Sequence, residues 1–318
     1  YSFCIIYLTV GVHPLEPKAA LVATNNEDMT MTTFNVASIS SSAVLVSLNI
    51  SVWTGRKLDK QVSAEIDADK HTRVRAGNYH KNLMAGVKEL EDLGKYAAET
   101  RNWFAYRTLP WGNEGTKIVD TASLFDFKHE LSQRENEFWR LVDAFELTYN
   151  TAIQAAQFKL GALFNADEYP PVDDIRSKFG FRYYFSPVPE AGDFRVDIGA
   201  QGLAELQDQF IKAKDDAIAQ AMSDMWGRVR EVTERLSRQL RVEKDAKGKL
   251  YQSTLDGAFA LCDMMQTMNL TQDPEMEQTR KRLISLLSGV DLKDLKKDDE
   301  ARLSVKQELD DLISKFSL

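Results

Sequence analysis

A long amphipathic stripe in the C-terminal third constrains the fold of this chain more than any other feature. From Gln201 the pattern predicts about 45 helical residues, with apolar side chains every three or four positions and charged residues on the other faces. The stripe consists of Leu203, Leu206, Phe210, Ala217, Met225, Val229, Val232, Leu236 and Leu240. A narrow stripe sustained over several heptads is typical of a coiled-coil-like hairpin or an extended bundle helix, because another helix must cover it. We therefore expect an uninterrupted rod from Leu203 to Leu240.

The remaining C-terminal sequence predicts helices that return along this rod. Lys247-Gly248-Lys249 is the expected turn, and residues 250–270 form the expected return helix. Pro274 begins a shorter helix that ends at Ser288-Gly289. A last amphipathic helix is expected from Glu300 to Phe316.

Two stretches of alternating apolar residues predict a small β-sheet. Apolar residues occupy every second position from Val46 to Val52, which indicates a strand with one buried face. The runs Phe179–Phe185 and Phe194–Ile198 also alternate, and Pro187 and Pro189 separate them. They predict a β-hairpin, for which the 46–52 strand is the natural third partner.

Helices are expected between these strands. Leu58, Val62 and Ile66 have helical spacing, and a long helix is expected from about Asn78. Pro110 lies in the segment Trp103–Gly112, which we expect to break that helix.

A well-patterned helix comes next. We expect Thr121-Ala122-Ser123 to cap it and Phe164-Asn165 to end it. The expected fold class is mainly α with a small antiparallel β-sheet (α+β) and a long coiled-coil-like helical hairpin in the C-terminal half. The expected domains are an α+β domain over 31–200 and a helical region over 201–318.

The first 30 residues show no clear periodicity. Tyr1 is not a start residue, and the apolar run of residues 1–12 is shorter than the roughly 20 residues that a spanning helix needs. We expect residues 1–30 to be untranslated or disordered, with Met29 or Met31 as the true start. The alternative is a cleaved export signal.

Composition excludes several classes of protein. Forty basic and 48 acidic residues give a net charge of -8, which excludes a chain-wide basic surface for nucleic acid. Hydrophobic residues make up 43% and charged residues 28%, as in ordinary globular proteins. Two cysteines, Cys4 and Cys262, cannot form a disulfide framework or a four-cysteine zinc site.

Metal-ligand patterns are weak. The four histidines have no metal-ligand spacing to a cysteine or to one another. Glu65, Asp67, Asp69 and His71 alternate and would share a face in a strand. The helical spacing around Ile66 instead favours a solvated surface.

A second acidic group surrounds Pro170-Pro171. Its members are Asp167, Glu168, Asp173 and Asp174. Clustered carboxylates can bind calcium or magnesium, which leaves a metal-dependent hydrolase as a third hypothesis. Capping of a helix by Asp173 or Asp174 is the favoured interpretation.

No phosphate-binding glycine loop and no nucleophile elbow is present in the sequence. We therefore expect no catalytic residues, no cofactor and no bound metal.

One basic segment stands out from the acidic background. Residues Trp226–Lys249 contain eight basic and four acidic residues. The candidate nucleic-acid-binding residues are Arg228, Arg235, Arg238, Arg241 and Lys244. The favoured alternative is a salt-bridged helix face, with Glu231–Arg235 and Glu234–Arg238 at four-residue spacing.

Several short motifs occur in a familiar order. They are Trp53-Thr54-Gly55-Arg56-Lys57, Leu109-Pro110-Trp111, Leu160-Gly161, Tyr169-Pro170-Pro171, Phe185-Ser186-Pro187-Val188-Pro189 and Asp193-Phe194-Arg195-Val196. Residues 44–240 thereby resemble a phage and bacterial family of unknown function. Genes of that family tend to lie beside genes for MoxR-type AAA+ ATPases and cobaltochelatase-like von Willebrand A proteins. The resemblance implies a cytoplasmic role, as an adaptor or substrate-recognition partner of an ATPase, and carries over no catalytic residue.

The leading hypothesis is a non-enzymatic helical interaction protein that associates with itself or with an AAA+ ATPase through its 201–270 hairpin. We expect no contact with a membrane. Nucleic-acid binding through the Arg228–Lys249 face is the alternative.

Overall fold

The computed structural model describes residues 36–112, 115–190, 199–242, 248–288, 295 and 297–314. Contacts within the chain separate Tyr1–Thr33 from one compact unit, Phe34–Leu318. The expectations for residues 1–30, for the strand at 194–198 and for Lys244 fall outside the described residues.

Helices dominate the compact unit. The described helices are α1 (Val36–Ser42), α2 (Lys60–Asp69), α3 (Lys88–Arg107), α4 (Leu124–Leu160), α5 (Val172–Ile175), α6 (Gly199–Gln239), α7 (Gln252–Thr267), α8 (Pro274–Ser288) and α9 (Asp299–Ser314). None of these helices combines the length and the apolar character needed to cross a bilayer.

Six short strands form two antiparallel sheets. The strands are β1 (Ala43–Ser51), β2 (Arg56–Leu58), β3 (His80–Asn82), β4 (Leu109–Pro110), β5 (Lys117–Asp120) and β6 (Gly180–Pro187). The larger sheet has the order β4-β5-β1-β6, and β2 pairs with β3. The expected fold class, mainly α with a small antiparallel sheet, is confirmed.

The larger sheet lies between two hydrophobic cores and contributes residues to both. Ala43 and Leu45 of β1 belong to the core formed with α6 to α9, whereas Val46 and Ile50 belong to the core formed with α3 and α4. Successive side chains of a strand point to opposite faces, so neighbours in sequence join different cores. From Val46 onward one face of β1 is more buried than the other, as predicted, whereas Ala43 and Leu45, which precede the predicted range, are buried on the opposite face.

Aromatic rings fill the N-terminal core. Phe138 and Phe145 of α4 contact Phe181 and Phe179, with ring centroids 5.5 and 5.6 Å apart. The alternating aromatic run of residues 179–185 thus provides a sheet face that packs on a helix. Its pairing with β1 confirms the predicted partnership of these two strands.

The C-terminal core covers the stripe of α6. The helix is continuous from Gly199 to Gln239, as predicted, and α7, α9 and β4 pack against it. From Ala217 onward most of the predicted stripe is buried, whereas Leu203, Leu206 and Phe210 are half-buried. Neighbouring elements of the same chain therefore cover the C-terminal part of the stripe, and that part does not require a second chain.

A buried arginine closes the end of α6. Arg302 of α9 is 1% exposed, and its guanidinium donates to the backbone oxygens of Gln239, Gly248 and Leu295. The carbonyls at a helix C-terminus have no partner within the helix, so a cation that donates to them also opposes their partial negative charge. Arg302 thereby joins α9 to the end of α6.

The helix expected from Asn78 begins ten residues later. Residues 80–82 form β3, and the side chain of Asn82 accepts a hydrogen bond from the Met84 amide in the turn that follows. Gly86, with a φ of 71°, completes this turn before α3 begins at Lys88. Pairing with β2 therefore prevails over the helical spacing of this segment.

The segment around Pro110 is also more regular than expected. Helix α3 continues to Arg107, and Leu109–Pro110 forms an edge strand of the larger sheet. An edge position tolerates proline because one side of the strand makes no ladder hydrogen bonds.

Two expected caps differ from the structure. Ser123 precedes α4 as predicted, but its hydroxyl donates to Asp120 and does not cap the helix. Asp173 and Asp174 lie in the first turn of α5, and Pro171 occupies the N-cap position.

Helix α4 ends at Leu160, four residues before the predicted end, because Gly161 adopts a φ of 53°.

The shared sheet can be tested through adjacent faces of β1. We expect Leu45→Ala and Ile50→Ala each to lower the free energy of unfolding by about 2–5 kcal/mol, because each leaves a cavity in one core. Asn49→Ala, at an exposed position of the same strand, should change it by less than about 0.5 kcal/mol. Urea unfolding measures all three, and a Leu45→Ala protein as stable as Asn49→Ala would contradict the two-core arrangement.

Candidate functional site

Arg228, the first of the predicted nucleic-acid-binding residues, is hydrogen-bonded to other parts of the fold. Its guanidinium donates to the backbone oxygens of Ala105, Tyr106 and Thr108 at distances of 2.8 to 3.0 Å. It also donates to Asp224 and lies 3.5 Å from the sulfur of Met264. These contacts use all five N–H groups, and the side chain is only 19% exposed. Arg228 closes the C-terminal end of α3 and links it to α6.

The other arginines of the predicted basic face carry acidic partners. Arg235 lies 2.5 Å from Glu231, and Arg238 lies 3.6 Å from Glu234. Arg230 shares Glu234 at 3.0 Å. Arg241, just after the end of α6, is exposed and also interacts with another residue. The structure thus shows the salt-bridged alternative at Arg235 and Arg238, while nucleic-acid binding by this face stays a prediction.

Replacing Arg228 tests its structural role. We expect Arg228→Lys to lower the free energy of unfolding by about 2 kcal/mol, because a lysine cannot reach all three carbonyls and leaves buried acceptors unpaired. Arg230→Lys, an exposed neighbour paired with Glu234, should stay within about 0.5 kcal/mol of the parent. Equal loss in both variants would show that Arg228 does not tie α3 to α6.

The acidic residues of the predicted group at 167–174 do not form a cluster of three carboxylates that could hold a metal ion. Glu168 instead lies 2.8 Å from the ammonium of Lys81, which is 5% exposed. Asp59 is 3.1 Å from the same ammonium, and the Leu163 oxygen accepts a hydrogen bond from it at 2.9 Å. This buried group, the Lys81 cluster, holds the two-stranded sheet against the segment after α4.

Contacts within the Lys81 cluster shift the pKa values of Asp59 and Lys81 in opposite directions. Hydrogen bonds from the Val62 amide and from Lys81 hold the pKa of Asp59 below its ordinary value. Burial acts to lower the pKa of Lys81, but the carboxylates of Glu168 and Asp59 outweigh it and raise that pKa. Asp59 and Lys81 are therefore both charged at neutral pH.

These directions predict a pH dependence of stability. A carboxyl whose pKa is lowered by folding stabilises the protein above its unfolded pKa of about 3.9, and this contribution is lost as the pH falls through the folded value. We therefore expect Asp59→Asn to lose less stability than the parent between about pH 5 and about pH 2. Asp69→Asn removes an exposed carboxylate and should behave like the parent. Urea midpoints across this range measure the difference, and parallel profiles for parent and Asp59→Asn would refute it.

The other metal and nucleophile patterns are also not assembled. Glu65, Asp67 and Asp69 lie on helix α2, where Asp67 is rotated by about 200° from the other two, so the three do not share a face. Within the described ranges, no three histidine, cysteine or acidic side chains come together as a metal site. Burial raises the pKa of the Cys262 thiol to about 11, so this cysteine is not a thiolate at neutral pH.

A cavity of about 240 Å³ lies between the end of α3, the start of α4 and α7. Its polar lining includes Arg107, Asp120, Ser123 and Asp263. The Ser123 hydroxyl donates to Asp120 at 2.6 Å, and no histidine lines this cavity to act as its base. The pair therefore lacks the serine–base geometry of nucleophilic catalysis.

The outer face of α4 carries the most exposed large apolar side chains of the described helices. Leu147 is 86% exposed and Phe158 is 89% exposed. Eleven residues are close to three full helical turns, so both side chains lie on one face about 16 Å apart. The twelve residues from Leu147 to Phe158 contain no charged residue. We call this surface the 147–158 face.

The charges at each end of the 147–158 face are already engaged. Glu146 accepts a hydrogen bond from Arg176 at 2.7 Å, and Lys159 donates to the Ala85 oxygen at 3.2 Å. Asn150, Thr151 and Gln154 lie exposed between the two apolar residues. The 147–158 face is therefore an uncharged surface, and the charged residue at each of its ends already has a hydrogen-bond partner.

Sequence reasoning did not identify the 147–158 face, although a signal was present. The buried stripe of α4 includes Phe145, Tyr149 and Ala156. Leu147 is two residues from both Phe145 and Tyr149, and Phe158 is two residues from Ala156. Two residues of helix rotate a side chain by about 200°, so both apolar residues were bound to lie opposite the buried stripe.

Comparison of the chain with models of protein families, with curated proteins and with solved structures finds no match. The resemblance of residues 44–240 to the phage and bacterial family stays a prediction.

Proposed function

We propose that this protein is a non-enzymatic, helix-rich interaction protein that associates with a second copy of itself through the 147–158 face. The exposure of Leu147 and Phe158 on a charge-free helix face carries this proposal. Exposed apolar surface larger than scattered single residues marks sites of contact with a partner. The proposal moves the contact surface from the 201–270 hairpin, whose stripe is largely covered within the chain, to α4.

The spacing of the face suits two-fold symmetry. In an isologous contact, each residue of one copy meets a fixed counterpart of the other. Antiparallel α4 helices centred between Ala152 and Ile153 would place Leu147 against Phe158 of the second copy and Thr151 against Gln154. Like charges that meet across such an axis repel each other, and the face contains none.

Self-association can be measured by sedimentation equilibrium across a range of concentrations. We expect the parent chain to form a dimer, and Leu147→Glu or Phe158→Glu to raise its dissociation constant at least about tenfold, since each change places two charges in the interface. Phe125→Glu is the matched control, because Phe125 is 82% exposed on α4 but lies outside the face. A monomeric parent, or equal weakening by Phe125→Glu, would overturn the proposal.

An AAA+ ATPase is the second partner that we propose, and the resemblance of residues 44–240 to the phage and bacterial family supports it. A cytoplasmic adaptor of phage or bacterial origin would use an exposed apolar helix face to engage the ATPase. Mixing a purified MoxR-type ATPase with the parent and with Leu147→Glu tests this partner. Complex formation by the parent alone supports use of the same face, whereas no complex with either protein excludes this ATPase.

A further inference from the structure

A second surface, distant in sequence from the 147–158 face, has an unusual charge. The 19 residues from Lys70 to Lys88 contain no aspartate or glutamate, in a chain with 48 acidic residues. Every residue from Ala68 to His80 is exposed. This stretch connects α2 to β3, and its centre is Arg73-Val74-Arg75, which we call the arginine tip.

One aspartate, Asp67, accepts hydrogen bonds from residues on both sides of the arginine tip. The backbone oxygen of Asp67 accepts hydrogen bonds from the amide and the hydroxyl of Thr72, at 3.0 and 3.3 Å. Its side-chain oxygen accepts from the Ala76 amide at 3.2 Å. Asp67 therefore fixes the residues on both sides of the tip, so that Arg73, Val74 and Arg75 project as a short loop.

A buried serine fixes the base of the same loop. The Ser63 hydroxyl donates to the Asp59 oxygen at 2.6 Å and accepts from the Tyr79 amide at 3.0 Å. The Asp59 amide in turn donates to the Tyr79 oxygen at 2.9 Å. Hydrogen bonds to Asp67 and Ser63 thus fix the residues on both sides of the arginine tip.

The cations of the tip differ from those of α6 in having no acidic partner among the residues that the structure describes. Neither Arg73 nor Arg75 forms an ion pair with any residue of the described ranges, whereas Arg235 and Arg238 each lie beside a glutamate. Lys70 pairs only with its neighbour Asp69, and both side chains are more than 70% exposed. Exposed pairs of this kind contribute little to stability, so Lys70 can leave Asp69 and pair with a phosphate instead.

We infer that the arginine tip, with Lys70, binds the phosphodiester backbone of a nucleic acid without reading its sequence. Guanidinium groups match phosphate oxygens in geometry and charge, and backbone contacts require only such cations. Because the chain carries a net charge of -8, a polyanion is repelled by most of its surface and is attracted to a local positive one such as the tip. The tip offers a single apolar side chain, Val74, and lacks the aromatic anchors on which protein interfaces depend.

Binding of the full-length chain to a fluorescent DNA duplex tests this inference, with a single-stranded RNA of equal length in a second arm. If Lys70, Arg73 and Arg75 each neutralise one phosphate, the slope of log K against log salt for the duplex is about -2.7. The double variant Arg73→Glu/Arg75→Glu should bind at least about tenfold more weakly and have a slope smaller by about 1.8. Circular dichroism verifies that it remains folded, as expected for two exposed side chains.

The matched control is the double variant Arg235→Glu/Arg238→Glu, which should bind the duplex as the parent does. Loss of binding in this control alone would assign the contact to α6 and overturn the inference. No binding by the parent at low salt, or unchanged binding by the tip variant, would also overturn it. Poly-glutamate that competes as well as DNA at equal charge would show that the tip recognises acidic protein. Preference between duplex and RNA then identifies the source of the phosphates.

Discussion

The alternation of side chains along β1 is the constraint on which the rest of the fold depends. Leu45 and Val46 are neighbours in sequence, yet one is buried against α6 to α9 and the other against α3 and α4. Two groups of helices thereby pack on opposite faces of the four-stranded sheet. Leu109, Ile118 and Val188 belong to the core formed with α6 to α9, so both halves of the chain contribute to that core. The domain boundary near residue 200 stays a prediction.

Three buried or half-buried cations reinforce that arrangement. Arg228 joins α6 to the end of α3, Arg302 joins α9 to the end of α6, and Lys81 joins β3 to the segment after α4. Two of them donate mainly to backbone oxygens at helix ends, where partial negative charge and unpaired acceptors coincide. A basic residue in this sequence can therefore be a structural tie between distant elements, and only its surroundings reveal that role.

Whether a cation has an acidic partner also distinguishes the arginine tip from the basic face of α6. On α6, glutamates one turn away lie beside Arg235 and Arg238, whereas no acidic side chain of the described part of the chain pairs with Arg73 or Arg75. The 147–158 face is the uncharged counterpart, where Leu147 and Phe158 face solvent between engaged charges. The protein thus has an apolar and a cationic surface, each suited to a different class of partner.

Local pattern alone determined the long elements: the rod of α6, the well-patterned α4, and the strands at 46–52 and 179–185. Their periodicity is strong because many consecutive residues share one buried face. The short strands β3 and β4 were missed, since two or three residues carry no period and their pairing with distant strands decides their conformation. Likewise, the sequence placed Arg228 on a basic face, and only tertiary structure showed it bound to the end of α3. Helix faces follow from spacing along the chain, but the partner of a charged side chain depends on which distant backbone the fold brings beside it.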